Sequence, residues 1–203
     1  MTNARDPMSL IECLRVLKES REDEVIVTSM GNAREWIALG SPHPLDWNYV
    51  PSSMGQASSL GLGIAMASPD RKVVVCIGDG SLLMNLGSLV TISAERPENL
   101  ILLVFDNGVY EVTGQQSTPA TSPSRPPETE IDFGSIARSC GFSNVVVFEG
   151  IKSWQMGVRQ ILSQQGPSVA VLRVAPIPGA APPKSPGPGP KRAVQFADAL
   201  KKS

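Results

Sequence analysis

An aspartate between two glycines, Gly78-Asp79-Gly80, stands at the end of the apolar run KVVVCI, and a second apolar run, LILLVF, ends in Asp106-Asn107-Gly108. Each pattern puts an oxygen donor where a buried strand would stop. Glycines on both sides of an acid let the backbone come close to a ligand. A helix opening near Ser81 would add unpaired N–H groups suited to phosphate oxygens. The Asp79 carboxylate alone would repel a phosphate. A hard divalent cation such as Mg2+ removes the conflict, because it accepts oxygens from Asp, an Asn side chain, a backbone carbonyl and a diphosphate together. Asp79 and Asn107 meet that demand.

Two other readings compete. Gly78-x-Gly80 after a strand, with Asp106 ending the next strand, is the start of a dinucleotide-binding turn, but Leu83 stands where that fingerprint needs Gly or Ala. A G-x-x-x-x-G-K-[ST] phosphate loop is absent from the sequence. Either motif taken singly reads as an ordinary turn; both at successive strand ends favour the metal–diphosphate reading.

The stretch GDGSLLMNLGSLVTISAERPENLILLVFDNGVYEVTG resembles the diphosphate-binding motif of thiamine diphosphate enzymes. Within that superfamily, GDGSLLMNLGSL, PENLILLVFDNGVY and TGQQST are most similar to the sulfopyruvate decarboxylase beta-subunit family and the matching half of phosphonopyruvate decarboxylases, from about Met8 to about Val174. The resemblance implies that Asp79 and Asn107 give side-chain ligands to Mg2+ and Val109 its backbone oxygen. It implies that Gly80 and Ser81 donate to the diphosphate, with Gly78 and Tyr110 in the same cofactor-binding set. In PSSMGQASSLGLGIAMA, Met54 takes the place of the methionine that props the two rings of the cofactor into a bent conformation, and the backbone of Ser52 and Met54 meets the aminopyrimidine edge. Ser52 stands where relatives often carry Gly.

The family chemistry is loss of CO2 from a small 2-oxo acid with release of an aldehyde. For a substrate with a second anionic group, as in sulfopyruvate or phosphonopyruvate, Arg34, His43 and Arg125 are the candidate donors. Glu111 departs from the Gly that relatives commonly carry after the tyrosine. A carboxylate there disfavours a doubly anionic substrate unless it is turned away or protonated, which keeps another 2-oxo acid, or an acetolactate synthase-like carboligation, open. A non-catalytic cofactor-binding or regulatory subunit is the alternative of another class.

At 203 residues the chain is long enough for one domain with its own core. Enzymes of this family also need a domain that supplies an activating Glu, and Glu12, Glu19, Glu22, Glu24 and Glu35 all fall in or beside the first elements. No catalytic residue is therefore assigned here. The Glu is expected from a separate pyrimidine-binding, alpha-type chain, in a hetero-oligomer such as α2β2 or larger. A net charge of −1 and a pI near 5.9 offer no electrostatic footprint for nucleic acid or an anionic membrane. No apolar run approaches the roughly 18 residues of a membrane span, and MTNARDP is not a secretion signal, so a cytoplasmic protein is expected. Cys13, Cys76 and Cys140 lack CxxC spacing and read as small buried apolar residues.

The elements that would position these residues spell an α/β, doubly wound, mainly parallel sheet with helices on both faces. Ser9 and Glu12 form a capping box for SLIECLRVLKES, followed by the strand EVIVT. A loop over 29–32 brings Gly31 and Asn32 to the rim that carries Asp79, within reach of the diphosphate. A strand near 47–50, a small-residue helix over 55–67, the two metal-site strands and one helix between them follow. Next come an irregular loop with four prolines, GQQSTPATSPSRPPETE, a helix over 133–140, VVVFE, WQMGVRQILSQQ and SVAVLRV. The domain is expected over 1–174. Residues 175–190 read as a Pro/Gly-rich linker, and 191–203 as an amphipathic helix that docks on a neighbouring subunit through Val194, Ala197 and Leu200.

Overall fold

A computed structural model describes residues 7–121, 126, 129 and 131–202. The Ser9 hydroxyl accepts the Glu12 N–H at 3.4 Å and so caps α1 (Leu10–Ser20), which buries Leu10, Cys13, Leu14 and Leu17. Then follow β1 (Val25–Ser29), α2 (Met30–Ala38), β2 (Asp46–Tyr49), α3 (Ala57–Ala67) and β3 (Val73–Gly78). After β3 come α4 (Asp79–Leu83), α5 (Gly87–Glu95), β4 (Leu100–Asp106) and a two-residue hairpin, β5 (Val109–Tyr110) with β6 (Gln116–Ser117). The chain continues through α6 (Phe133–Ser139), β7 (Asn144–Phe148), α7 (Ile151–Ser163), β8 (Ser168–Arg173) and α8 (Gly189–Leu200).

Six strands form one all-parallel sheet in the order β2-β1-β3-β4-β8-β7. Its central strands are unbroken apolar runs because helices cover both faces. Alternate residues serve opposite layers. Val73, Val75, Ile77, Leu100, Leu102 and Val104 face α3, α5 and α6, whereas Val74, Cys76, Ile101, Leu103 and Phe105 face α1, α2 and α7. The doubly wound parallel sheet expected from the strand pattern is thus the observed one.

Four local differences matter for the site. The 29–32 stretch is not a loop: α2 begins at Met30, so Gly31 and Asn32 lie in its first turn. The single helix expected after Asp79 is two, because Asn85, Ser88 and Leu89 N–H groups bond to carbonyls three residues back and break the ladder over 84–86. The proline-bearing loop starts with strand β6, paired with β5. Finally, α8 lays Phe196 on its own chain, with the Phe196 and Trp47 ring centroids 5.2 Å apart and Arg192 donating to the carbonyls of Val50 at 2.9 Å and of Asn48. Val194 on the same helix stays exposed. Among the described residues no helix is long and apolar enough to cross a membrane.

Candidate functional site

Strand order decides where a ligand crevice opens. From β1 the chain runs outward to β2, whereas from β3 it runs the other way to β4, and α2 and α4 leave on opposite faces of the sheet. The carboxyl ends of β1 and β3 therefore diverge, and open α/β sheets bind ligands at such a point. A cleft open to solvent lies there. Met30, Gly31 and Asn32 line it from α2, Met54 from the segment before α3, Gly78 to Ser81 from the β3–α4 junction, and Asn107, Val109, Tyr110 and Glu111 from the end of β4 and the hairpin.

Asp79 is buried, and its Oδ2 accepts the Gly108 N–H at 3.1 Å, tying the two sequence motifs together. Asn107 Oδ1 accepts the Val109 N–H at 3.0 Å. Burial pushes the Asp79 carboxyl up to about 7; the charge of Asp106 acts in the same direction, and the N–H groups of Gly80, Asn107 and Gly108 oppose it. A cation would suit such a desolvated carboxylate. Two side-chain oxygens on neighbouring loops, with backbone oxygens beside them, suit a hard ion that takes its other ligands from a phosphate group.

The glycines shape the opposite wall. A Cβ on Gly78 would meet nothing within 4 Å, so its side of the backbone is open space. A Cβ on Gly80 would lie 2.6 Å from the Tyr110 ring, which packs against that backbone. Gly55 has φ +85° and no room beyond Asn85 and Met84, so only glycine suits it. Its N–H donates to Ser81 Oγ at 2.9 Å and its carbonyl accepts Asn85 Nδ2 at 3.1 Å. The Ser81 hydroxyl thus anchors the turn that presents Met54, 44% exposed, at the cleft, while its own proton stays available for an anion.

Ser52 is the one proposed cofactor residue that does not line the cleft; its Oγ lies 3.0 Å from Met30 Sδ, behind the wall. Of the three candidate anion donors, Arg34 is engaged by Glu35 at 2.5 Å, Glu111 at 3.1 Å and the Ala181 carbonyl at 2.8 Å. His43 sits at the opposite end of the sheet, before β2, with Nδ1 3.0 Å from Arg21 and accepting the Leu45 N–H at 3.2 Å; burial, then Arg21, lower its pKa. Arg125 lies outside the described residues. Met30, Met84 and Phe105 line the cleft without having been anticipated. Met30 carries a positive φ of 53°, in the left-handed region that costs a non-glycine residue energy.

A crevice at the strand reversal, a buried acid bonded to the neighbouring loop beside it, and a glycine-faced wall are the parts of a diphosphate-binding domain. Residues 29–172 match the family described as thiamine pyrophosphate enzyme, C-terminal TPP binding domain, and the chain belongs to that family. It is 40% identical over 168 residues to the sulfopyruvate decarboxylase subunit beta of Methanothermobacter thermautotrophicus, covering 82% of each chain. It is 34% identical to the phosphonopyruvate decarboxylase of Streptomyces viridochromogenes over 86% of this chain, which spans 41% of that protein. Benzoylformate decarboxylase from Polynucleobacter necessarius shares the fold, with a TM-score of 0.63 and 21% identity over 81% of this chain and 33% of the other. Thiamine diphosphate is accordingly the cofactor of this site.

Proposed function

We propose that this chain is the beta-type subunit of a split thiamine diphosphate-dependent decarboxylase of sulfopyruvate, or of a closely similar 2-oxo acid such as phosphonopyruvate. The observation that carries the reading is the Asp79–Gly108 contact, which brings the acid of one motif against the loop of the other at the switch point. The similarity in length and sequence to beta subunits supports a partner chain, which we assign as the pyrimidine-binding, alpha-type subunit supplying the activating Glu.

In this reading Asp79 and Asn107 hold Mg2+ by their side chains and Val109 by its carbonyl. Gly78 lets the backbone approach the diphosphate, Gly80 and Ser81 donate to it, and Gly31 and Asn32 close the α2 side. Met54 stands under the rings. When bound, thiamine diphosphate supplies the electron sink for the pair released as the substrate carboxylate leaves as CO2. Met30, Met54, Met84 and Phe105 make the surroundings apolar, and a dry site strengthens every charge interaction made in it.

The test is calorimetric titration of thiamine diphosphate with Mg2+ into the chain, alone and with the candidate alpha-type chain, followed by CO2 release from sulfopyruvate and phosphonopyruvate. Asp79→Ala is expected to abolish the metal-dependent binding. Unchanged affinity in that variant would sink the assignment.

A further inference from the structure

Glu111 is buried in the cleft wall, and its carboxylate is held by three separate segments of the chain. Oε2 meets Arg34 Nη2 at 3.1 Å, and Oε1 accepts the Ile177 N–H at 2.8 Å and lies 3.5 Å from Asn107 Nδ2. The approach from α2 is so close that a Cβ on Gly31 would stand 2.6 Å from Oε2. Around this carboxylate the segment after β8 is strapped across the rim. Gln115 Nε2 donates to the Ile177 carbonyl at 2.7 Å, Arg34 Nη1 to that of Ala181 at 2.8 Å, and the Val174 N–H to that of Asp106 at 2.9 Å.

An Asn side chain can present either end of its amide, and only the oxygen end serves a hard cation. We infer that Glu111 is a positioning residue for the metal loop: by accepting from Asn107 Nδ2 while Arg34 and the Ile177 N–H hold it still, it keeps Asn107 Oδ1 available as ligand. The inference rests on the cofactor reading above. It also eases the charge conflict raised by an acid at this position, since Arg34, shared with Glu35, offsets part of the charge and the Glu111 oxygens are turned to Arg34, Asn107 and the strap.

The test is the affinity for Mn2+, as a spectroscopic stand-in for Mg2+. It is read from the free-ion electron paramagnetic resonance signal with thiamine diphosphate present, on the full chain together with its alpha-type partner. Glu111→Ala is expected to weaken Mn2+ binding about 10-fold or more, the usual effect of removing a residue that orients a ligand. Glu111→Gln, whose amide oxygen still accepts from Asn107 but whose NH2 then faces Arg34, is expected to restore part of it. In an Asn107→Ala background Glu111→Ala should weaken binding no further, because the group it orients is gone; a merely structural role would make the two losses add. Additive losses, or Glu111→Ala within about twofold of the unaltered protein, overturn the inference. Should Glu111→Ala fail to fold, Glu111→Asp, which draws the carboxylate back by one methylene, carries the same comparison with and without Asn107. Failure of the unaltered protein to bind Mn2+ overturns the cofactor reading and this inference with it.

Discussion

Alanine at Gly78 and alanine at Gly80 flank the same acid, yet they separate ligand space from packing space. At Gly80 the new methyl lies 2.6 and 2.8 Å from two Tyr110 ring atoms, so the ring and the hairpin that carries it must move. Overpacking of this kind costs about 1–3 kcal/mol, and alanine in the first turn of α4 returns about 1 kcal/mol over glycine. A net loss of up to about 2 kcal/mol is expected, together with loss of cofactor binding, because Tyr110 and Val109 share β5. At Gly78 no protein atom lies within 4 Å of the methyl and φ is −80°, a value open to any residue. There the entropy removed from the unfolded chain, about 0.4–1 kcal/mol, is offset by the weaker N-cap, and stability should stay within about 0.5 kcal/mol. The methyl nevertheless projects into the space assigned to the diphosphate. Gly78→Ala should therefore weaken thiamine diphosphate binding at least ~10-fold, or about 1.4 kcal/mol, with an unchanged unfolding curve. Urea unfolding of the metal-free protein gives the first quantity and calorimetry the second. A Gly78→Ala protein that binds like the unaltered one refutes the placement of the diphosphate; a Gly80→Ala protein that gains the full ~1 kcal/mol of helix preference refutes the Tyr110 packing.

Other perturbations probe the frame. Burial pushes the Cys13 thiol up to about 12 and raises that of Cys76 as well, so in a native disulfide-exchange assay only Cys140, half-buried, should react quickly, and the other two only on unfolding. Asn99 Nδ2 lies within 3.0 Å of the Ala65, Ser68 and Arg71 carbonyls, so Asn99→Ala should lower the unfolding free energy by about 2–3 kcal/mol in urea without touching cofactor affinity. Phe196→Ala removes the side chain that seats α8 on Trp47, a contact worth about 3 kcal/mol, and should show as faster proteolysis within 175–188 while the sheet stays protected from hydrogen exchange.

The central sheet was legible because its strands need only their own apolar runs to declare themselves. Val73 to Ile77 and Leu100 to Phe105 are buried on both faces, and a glycine-flanked acid or an Asn-Gly pair at the end of such a run can lie only at a rim. The helix break after α4 was not legible in the same way. Leu82, Leu83, Leu86 and Leu89 keep a helix-like apolar spacing through it, and the break follows from a tertiary demand: Asn85 turns aside to bond the Gly55 carbonyl. The Pro/Gly composition of 175–190 likewise marks stiffness but says nothing of where a stiff segment lies, and its place on the rim is set by side chains of Arg34, Glu111 and Gln115.

Charge was the quantity that sequence reasoning could state only conditionally. An acid beside the metal loop counts against an anionic substrate only while its own partner is unknown. The partner, Arg34, is 77 residues away, and the second hold on the carboxylate is the N–H of Ile177, 66 residues off in the other direction. A hydrophobic run states its requirement locally, by period; an ion pair states it only through the fold, because either member alone reads as a solvated surface charge. The sheet topology is what makes the pair possible, since α2 leaves β1 on the face toward which the chain returns after β8. Substrate charge at this site is therefore a property of the closed arrangement of α2, the metal loop and the strap, and an alteration of any one of them should be felt at Asn107 before it is felt in the core.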